Sequence, residues 1–220
     1  DLRLASQALA ADFSGTADLA ANRFNVLNIN ARLLQPRALF PNMTGRDITL
    51  KARLDGAFGA PNFDYLLTAP FVAFDKTGLE QVRASGQGRL GKSPVLVPLK
   101  LAASRITGVG DVAGGILANI SVTGLLSVTS KALTGDGLIL KSDKLSGKLT
   151  LFVDLKTGRF DIGMAGQLQR YLIPGLGIVD VKSELKVVPG AGGHGILEDK
   201  RAPLAGRLGG IERGIGHVQE

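Results

Sequence analysis

A chain of 220 residues is long enough for one large domain with a sizeable core, and 45% apolar against 20% charged residues excludes a disordered chain. The absence of Cys excludes disulfides, thiolate metal sites and cysteine nucleophiles, and two late His leave little for histidine catalysis. The net charge of +7 favours anionic surfaces without specifying one.

The apolar mass is small and aliphatic, since aromatics make up 5%, Trp is absent and Gly reaches 30. No apolar run approaches the roughly eighteen residues of a membrane-spanning helix. The chain opens on Asp1 without a charged-then-apolar leader, so it is expected to be a piece of something longer.

Along the chain the dominant signal has period two, the signature of strands with one dry and one wet face. Phe13, Gly15, Ala17 and Leu19 open the series, and Leu27, Ile29, Ala31 and Leu33 follow. The proline-bounded stretch from Gln35 to Asn42 predicts a single helical turn near 36–42. Ile48, Leu50, Ala52 and Leu54 then alternate with Thr49, Lys51, Arg53 and Asp55. Phe63, Tyr65, Leu67, Ala69 and Phe71 form the next apolar set, followed by Val82, Ala84, Gly86 and Gly88, then Val95, Val97, Leu99 and Leu101. Asp111 as an N-cap predicts a short helix over 109–118, against the cost of Gly114-Gly115. Ile120, Val122, Leu126 and Val128 resume the alternation.

Two runs give the clearest hairpin. Leu149, Leu151, Val153 and Leu155 are joined through Lys156-Thr157-Gly158 to Phe160, Ile162 and Met164, with Gly158 free to take positive φ. Val179, Val181, Leu185 and Val187 follow against Asp180, Lys182, Glu184 and Lys186. From 190 to 220 frequent Gly dilutes the periodicity, and that stretch is read as a loosely ordered or truncated tail after a β-segment over 1–189.

The fold class is therefore all-β, a long antiparallel meander without a βαβ unit. Its continuous dry face must be covered by closing, folding over or curling. Gly15, Ala17, Ala52, Ala84, Gly86 and Gly88 occupy inward positions and are read as leaving space there. A half-pipe, or β-taco groove, with an aliphatic lining satisfies this pattern, and so does a sandwich of small side chains.

Gly86-Gln87-Gly88-Arg89-Leu90-Gly91-Lys92-Ser93 matches the phosphate-loop pattern in full. That chemistry needs a following helix whose N–H groups face the phosphates. Pro94-Val95-Leu96-Val97-Pro98 predicts a strand there instead, so no nucleotide is expected. His194 and His217 lack metal-ligand spacing, and Asn42-Met43-Thr44 and Asn119-Ile120-Ser121 are glycosylation-like triplets of a kind chance supplies. Asp154, Asp161, Asp180 and Glu184 fit wet strand faces better than paired acid–base work. Lys and Arg are not clustered with aromatics, so no nucleic acid is expected. No enzymatic activity, cofactor or metal is expected.

Two stretches, Ile106-Thr107-Gly108-Val109-Gly110-Asp111-Val112-Ala113-Gly114-Gly115-Ile116-Leu117 and Gln167-Leu168-Gln169-Arg170-Tyr171-Leu172-Ile173-Pro174-Gly175-Leu176-Gly177-Ile178-Val179-Asp180-Val181, resemble the AsmA-like superfamily, in particular its YdbH and TamB type. The resemblance covers about residues 1–190. It implies a periplasmic segment of a protein anchored in the inner membrane, with a curled β-groove that moves phospholipids between inner and outer membrane. Implied partners are phospholipid acyl chains and envelope proteins of both membranes. A second implied role is a structural module that aids outer-membrane protein insertion; a small-solute transport component is a third reading. The expected groove lining is Val122, Leu126, Val128, Leu149, Leu151, Val153, Leu155, Phe160, Ile162, Met164, Val179, Val181, Leu185 and Val187. Aliphatic side chains suffice for such a lining, because each methylene kept from water contributes about 0.8 kcal/mol without hydrogen-bond specificity.

Overall fold

The computed structural model describes the backbone of residues 1–108, 117–173, 177–189 and 195–199, with side chains described no further than Gln167. The strands are β1 (Leu2–Ala5), β2 (Leu9–Asp18), β3 (Arg23–Leu33), β4 (Met43–Arg46), β5 (Ile48–Ala57), β6 (Asn62–Phe74) and β7 (Thr77–Arg89). They continue as β8 (Val95–Thr107), β9 (Ala118–Val128), β10 (Ala132–Lys141), β11 (Leu145–Asp154), β12 (Phe160–Ile173), β13 (Gly177–Pro189) and β14 (Gly195–Asp199). All belong to one sheet in chain order from β1 to β14, and only β4 lies off that path. Every pairing is antiparallel and the ends do not meet, so the sheet is an open, curled meander rather than a barrel.

The helical expectation at 36–42 shrinks to a 3-10 turn over Pro36–Ala38, where Pro36 supplies the preset φ of a first helical position. The expected helix over 109–118 lies outside the described residues except at its end, where Ala118 already opens β9. The phosphate-loop match ends β7 at Arg89, and β8 begins at Val95 with no helix between them. No amide cradle forms. β14 lies in the Gly-rich stretch that begins at 190 and pairs with β13, while 190–194 and 200–220 are outside the described residues.

Registration carries one apolar row across seven strands, Ala31–Leu50–Leu67–Ala84–Leu101–Val122–Leu140. The next row, on the other face, reads Arg32–Thr49–Thr68–Arg83–Ala102–Ser121–Lys141. Alternation along each strand thus becomes one dry and one wet face of a single layer.

A transverse crease then reverses the alternation. Asp47, Gln81 and Asn119 have φ of 49°, 52° and 50°, and the flanking registers align them on one line through Pro70. β4 pairs with β6 in the register that β5 uses, so β4 and β5 share one lane bent at Asp47. Pro70 has no N–H to give the ladder, which suits it to the gap. On one side of the crease Ile48, Ala69, Val82, Ala103 and Ile120 are buried. On the other side the opposite parity packs inward, with Val72 and Leu79 against one apolar cluster and Ile106 and Leu117 against another. Phe71, expected on the face of Phe63 and Tyr65, lies past the crease, where its ring covers Gly78.

β2 shows a related shift. The register slips between Ser14 and Thr16, and a Cβ on Gly15, at φ +130°, would stand 2.2 Å from the Val26 carbonyl oxygen. Phe13 stays opposite Ile29, whereas Leu19 falls beyond the strand and is exposed, so the expected face of Phe13, Gly15, Ala17 and Leu19 breaks at Gly15.

Several inward glycines are filled by neighbours rather than left as space. Tyr65 and Phe63 lay their rings over Gly86 and Gly88, and the Tyr65 hydroxyl donates to the Pro98 carbonyl at 2.9 Å. Leu138, only 1% exposed, packs over Gly124 and Gly135. It reaches that place because a bulge in β10 between Gly135 and Leu138 re-aims the strand.

The curl brings distant strands together. The rings of Phe74 on β6 and Phe160 on β12 meet edge to face with centroids 6.3 Å apart, and Phe40 lies 6.1 Å from Phe74. Gly158 is buried against Phe40 and Asn42, and a Cβ there would stand within 3.1 Å of both. The connection beyond the crease is thereby clasped to the β11–β12 turn. If the left-handed residues set the crease, Gln81→Val should lower unfolding stability by about 1–2 kcal/mol and Gln81→Gly should not lower it. Urea unfolding of both variants checks this.

Candidate functional site: a one-layered apolar trough

Nine residues of the expected lining with described side chains, Val122, Leu126, Val128, Leu149, Leu151, Val153, Phe160, Ile162 and Met164, share one face of β9 to β12. Val128, Leu133, Val153 and Phe160 form one register row, and Leu126, Gly135, Leu151 and Ile162 the next. Leu138, Leu149 and Met164 form a third. Backbone register continues these rows onto β13, where Val187 pairs with Ile162, Leu185 with Met164 and Val181 with Leu168. Val179 precedes them on β13 opposite Tyr171, past a register shift. The side chains of Val179, Val181, Leu185 and Val187 lie outside the described residues.

Leu155 departs from the row. It sits in the turn after β11, half-buried, with its N–H donating to the Lys131 carbonyl at 2.9 Å. Leu133, Leu138, Leu140 and Leu145 belong to the trough but were not among the expected lining. The bulge at Gly135 interrupts the alternation between Leu133 and Leu138 and Leu140, so period two alone does not reveal these three, whereas Leu145 extends the alternation of Leu149, Leu151 and Val153 on β11. Val122 and Leu126 are buried, while Val128, Leu149, Leu151, Val153, Phe160, Ile162 and Met164 are half-buried. A face this dry and this accessible is what a single curved layer produces.

Among the described residues no charged side chain is buried and no His, Cys, Asp and Glu cluster could hold a metal. His194 and His217 fall outside them. Tyr65 is the one described titratable group raised above its ordinary range by burial, and its hydroxyl is occupied by Pro98. A depression of about 560 Å³ sits at β5 to β7, where the cations Arg53 and Arg89 face the carboxylates Asp55 and Asp64. Those charges balance within their own cross-strand rows, Arg53–Asp64–Gln87 and Asp55–Asn62–Arg89. The described lining of the trough is aliphatic and aromatic.

No family model, curated protein or solved structure matches this chain. Among the described residues no helix is long and apolar enough to cross a membrane.

One carboxylate supports the trough wall without lining it. Asp154 Oδ1 accepts the N–H groups of Thr157 at 2.8 Å and Lys156 at 2.9 Å, closing the β11–β12 turn. These two backbone donors hold its carboxyl below the ordinary range. A depressed folded value means the contribution is present above the unfolded value of about 3.9 and is lost as pH falls through the folded value. Asp154→Ala should therefore unfold at lower urea than the parent at neutral pH, with the gap closing as pH drops below about 4. A gap that stays constant to lower pH would show that the carboxylate does not act through its charge.

Proposed function

We propose that this chain is a segment of a bridge-like protein that carries phospholipid acyl chains along a hydrophobic β-groove, in the manner its AsmA-like resemblance implies. The observation that carries the reading is the unbroken apolar row from Ala31 through Leu140 on a single open sheet. A closed domain would hide such a face against a second layer. Here most of the trough lining stays half-exposed, which is costly in water and useful to hydrocarbon.

Acyl chains suit this lining for a chemical reason. They need contact area, not directional partners, and the lining supplies Leu, Ile, Val, Met and Phe with no buried charge among the described residues. Headgroups would remain at the open side, in water. Inner- and outer-membrane partners and a periplasmic setting belong to the same proposal.

Native mass spectrometry and lipid extraction of the purified chain test it, with phospholipid expected in the parent. Ile162→Asp places a charge in the lining, at several kcal/mol against bound hydrocarbon. Lipid occupancy should fall severalfold while circular dichroism retains the β signal, since an open trough lets water reach the new carboxylate. Absence of lipid in the parent, together with loss of fold in the variant, would overturn the proposal.

A further inference from the structure

The convex face carries a feature that the trough reading does not use. Leu96, Leu125, Ile139 and Phe152 are 55%, 54%, 42% and 46% exposed, the largest such group on neighbouring strands. They lie on β8, β9, β10 and β11, all on the face opposite the buried Leu99, Val122, Leu126 and Leu138. Leu125 stands opposite Pro98, which extends the patch, and Ile139 stands opposite Lys148. Three strand spacings of about 4.8 Å make it roughly 14 Å wide. That is narrow enough for a curved sheet to present to a flat surface.

The rim is basic. Lys100 is in the row of Thr123, Ile139 and Lys148, and Lys141 follows two residues beyond Ile139. These three lysines are exposed, and no ion pair involves them among the described residues. The carboxylates nearby are Asp136 in the β10 bulge, Asp143 two residues beyond Lys141, which accepts from Asn119 Nδ2 at 2.8 Å, and Asp154 and Asp161 at the Phe152 end. Asp154 is committed to its own turn. Exposed apolar side chains flanked at one end by three ammonium groups make an amphipathic surface. Such a combination suits the interface of an anionic bilayer, where apolar tips enter the acyl boundary and lysines meet headgroup phosphates. The patch offers neither the paired charges of a typical protein contact rim nor a stacking platform of several aromatics for nucleic acid.

We propose that the convex patch of Leu96, Leu125, Ile139 and Phe152, with Lys100, Lys141 and Lys148, docks this chain onto an anionic lipid surface. It lies on the reverse side of the sheet from the trough, so it stands or falls separately from acyl-chain carriage.

Sedimentation of the full chain with vesicles tests it, using phosphatidylcholine alone and phosphatidylcholine mixed equally with phosphatidylglycerol. Binding is expected to the mixed vesicles only, and to weaken as salt is raised. Lys100→Ala and Lys148→Ala should each lower partitioning about fivefold. Leu125→Ser should lower it severalfold while leaving the unfolding midpoint and the lipid held in the trough unchanged, because its side chain is exposed. Equal binding to neutral vesicles, or binding indifferent to these substitutions, would overturn the proposal. Self-association without lipid that Leu125→Ser abolishes would overturn it as well, by assigning the patch to a second copy of the chain.

Discussion

A sheet with one apolar face and no second layer has to shelter that face with its own curvature. Most features of the described sheet follow from that constraint. Right-handed twist alone would spread fourteen strands into an open propeller. Bulges at Gly15 and between Gly135 and Leu138, with a crease through Asp47, Pro70, Gln81 and Asn119, add bending where twist is insufficient. A left-handed residue costs a non-glycine side chain about 1–2 kcal/mol, so three on one line need compensation from the packing they allow. That compensation is visible beyond the crease, where Val72, Leu79 and Phe74 turn inward onto Met43, Ile48 and Val82.

The crease also explains how the two sides of the trough touch. Phe74 reaches Phe160 only because the alternation of β6 has been inverted before its last turn of sequence, and Gly158 admits Phe40 only because it lacks a Cβ. Leu138 does comparable work on the trough floor. Two glycines on either side, Gly124 and Gly135, let one leucine fill the place of three ordinary side chains. The trough is consequently dense along its floor and half-exposed along its walls, a gradient that a second layer would erase.

Much of this was legible in residue order, and the failures share one cause. β11, β5 and the first part of β12, from Phe160 to Met164, alternate without interruption, so their faces and the turn at Lys156-Thr157-Gly158 follow directly from period two. β10 escapes the same reading because its apolar residues change phase, with Leu133 on one side of the bulge and Leu138 and Leu140 on the other. Phe71 and Leu19 depart from their expected faces for the same reason, at Pro70–Gln81 and at Gly15. Glycine departs in a different way. A missing side chain does not mean space here, because Gly86, Gly88, Gly124 and Gly135 are surfaces onto which Tyr65, Phe63 and Leu138 fold. Sequence periodicity reports which face a residue takes, but not which neighbour lies over it.

In a single layer the two faces are chemically separate, since a side chain belongs wholly to the trough or wholly to the convex surface. Val122 and Thr123 are adjacent in sequence, yet one is buried in the floor and the other stands among lysines and exposed leucines. A substitution therefore alters one surface without disturbing the other, and the two can change independently. A one-residue insertion does the reverse, because it sends every later residue of that strand to the opposite face. The bulges and the crease are the places where this chain already makes that exchange, with packing that accommodates it. They mark the positions at which the sheet can change which residues it shows to hydrocarbon and which to water.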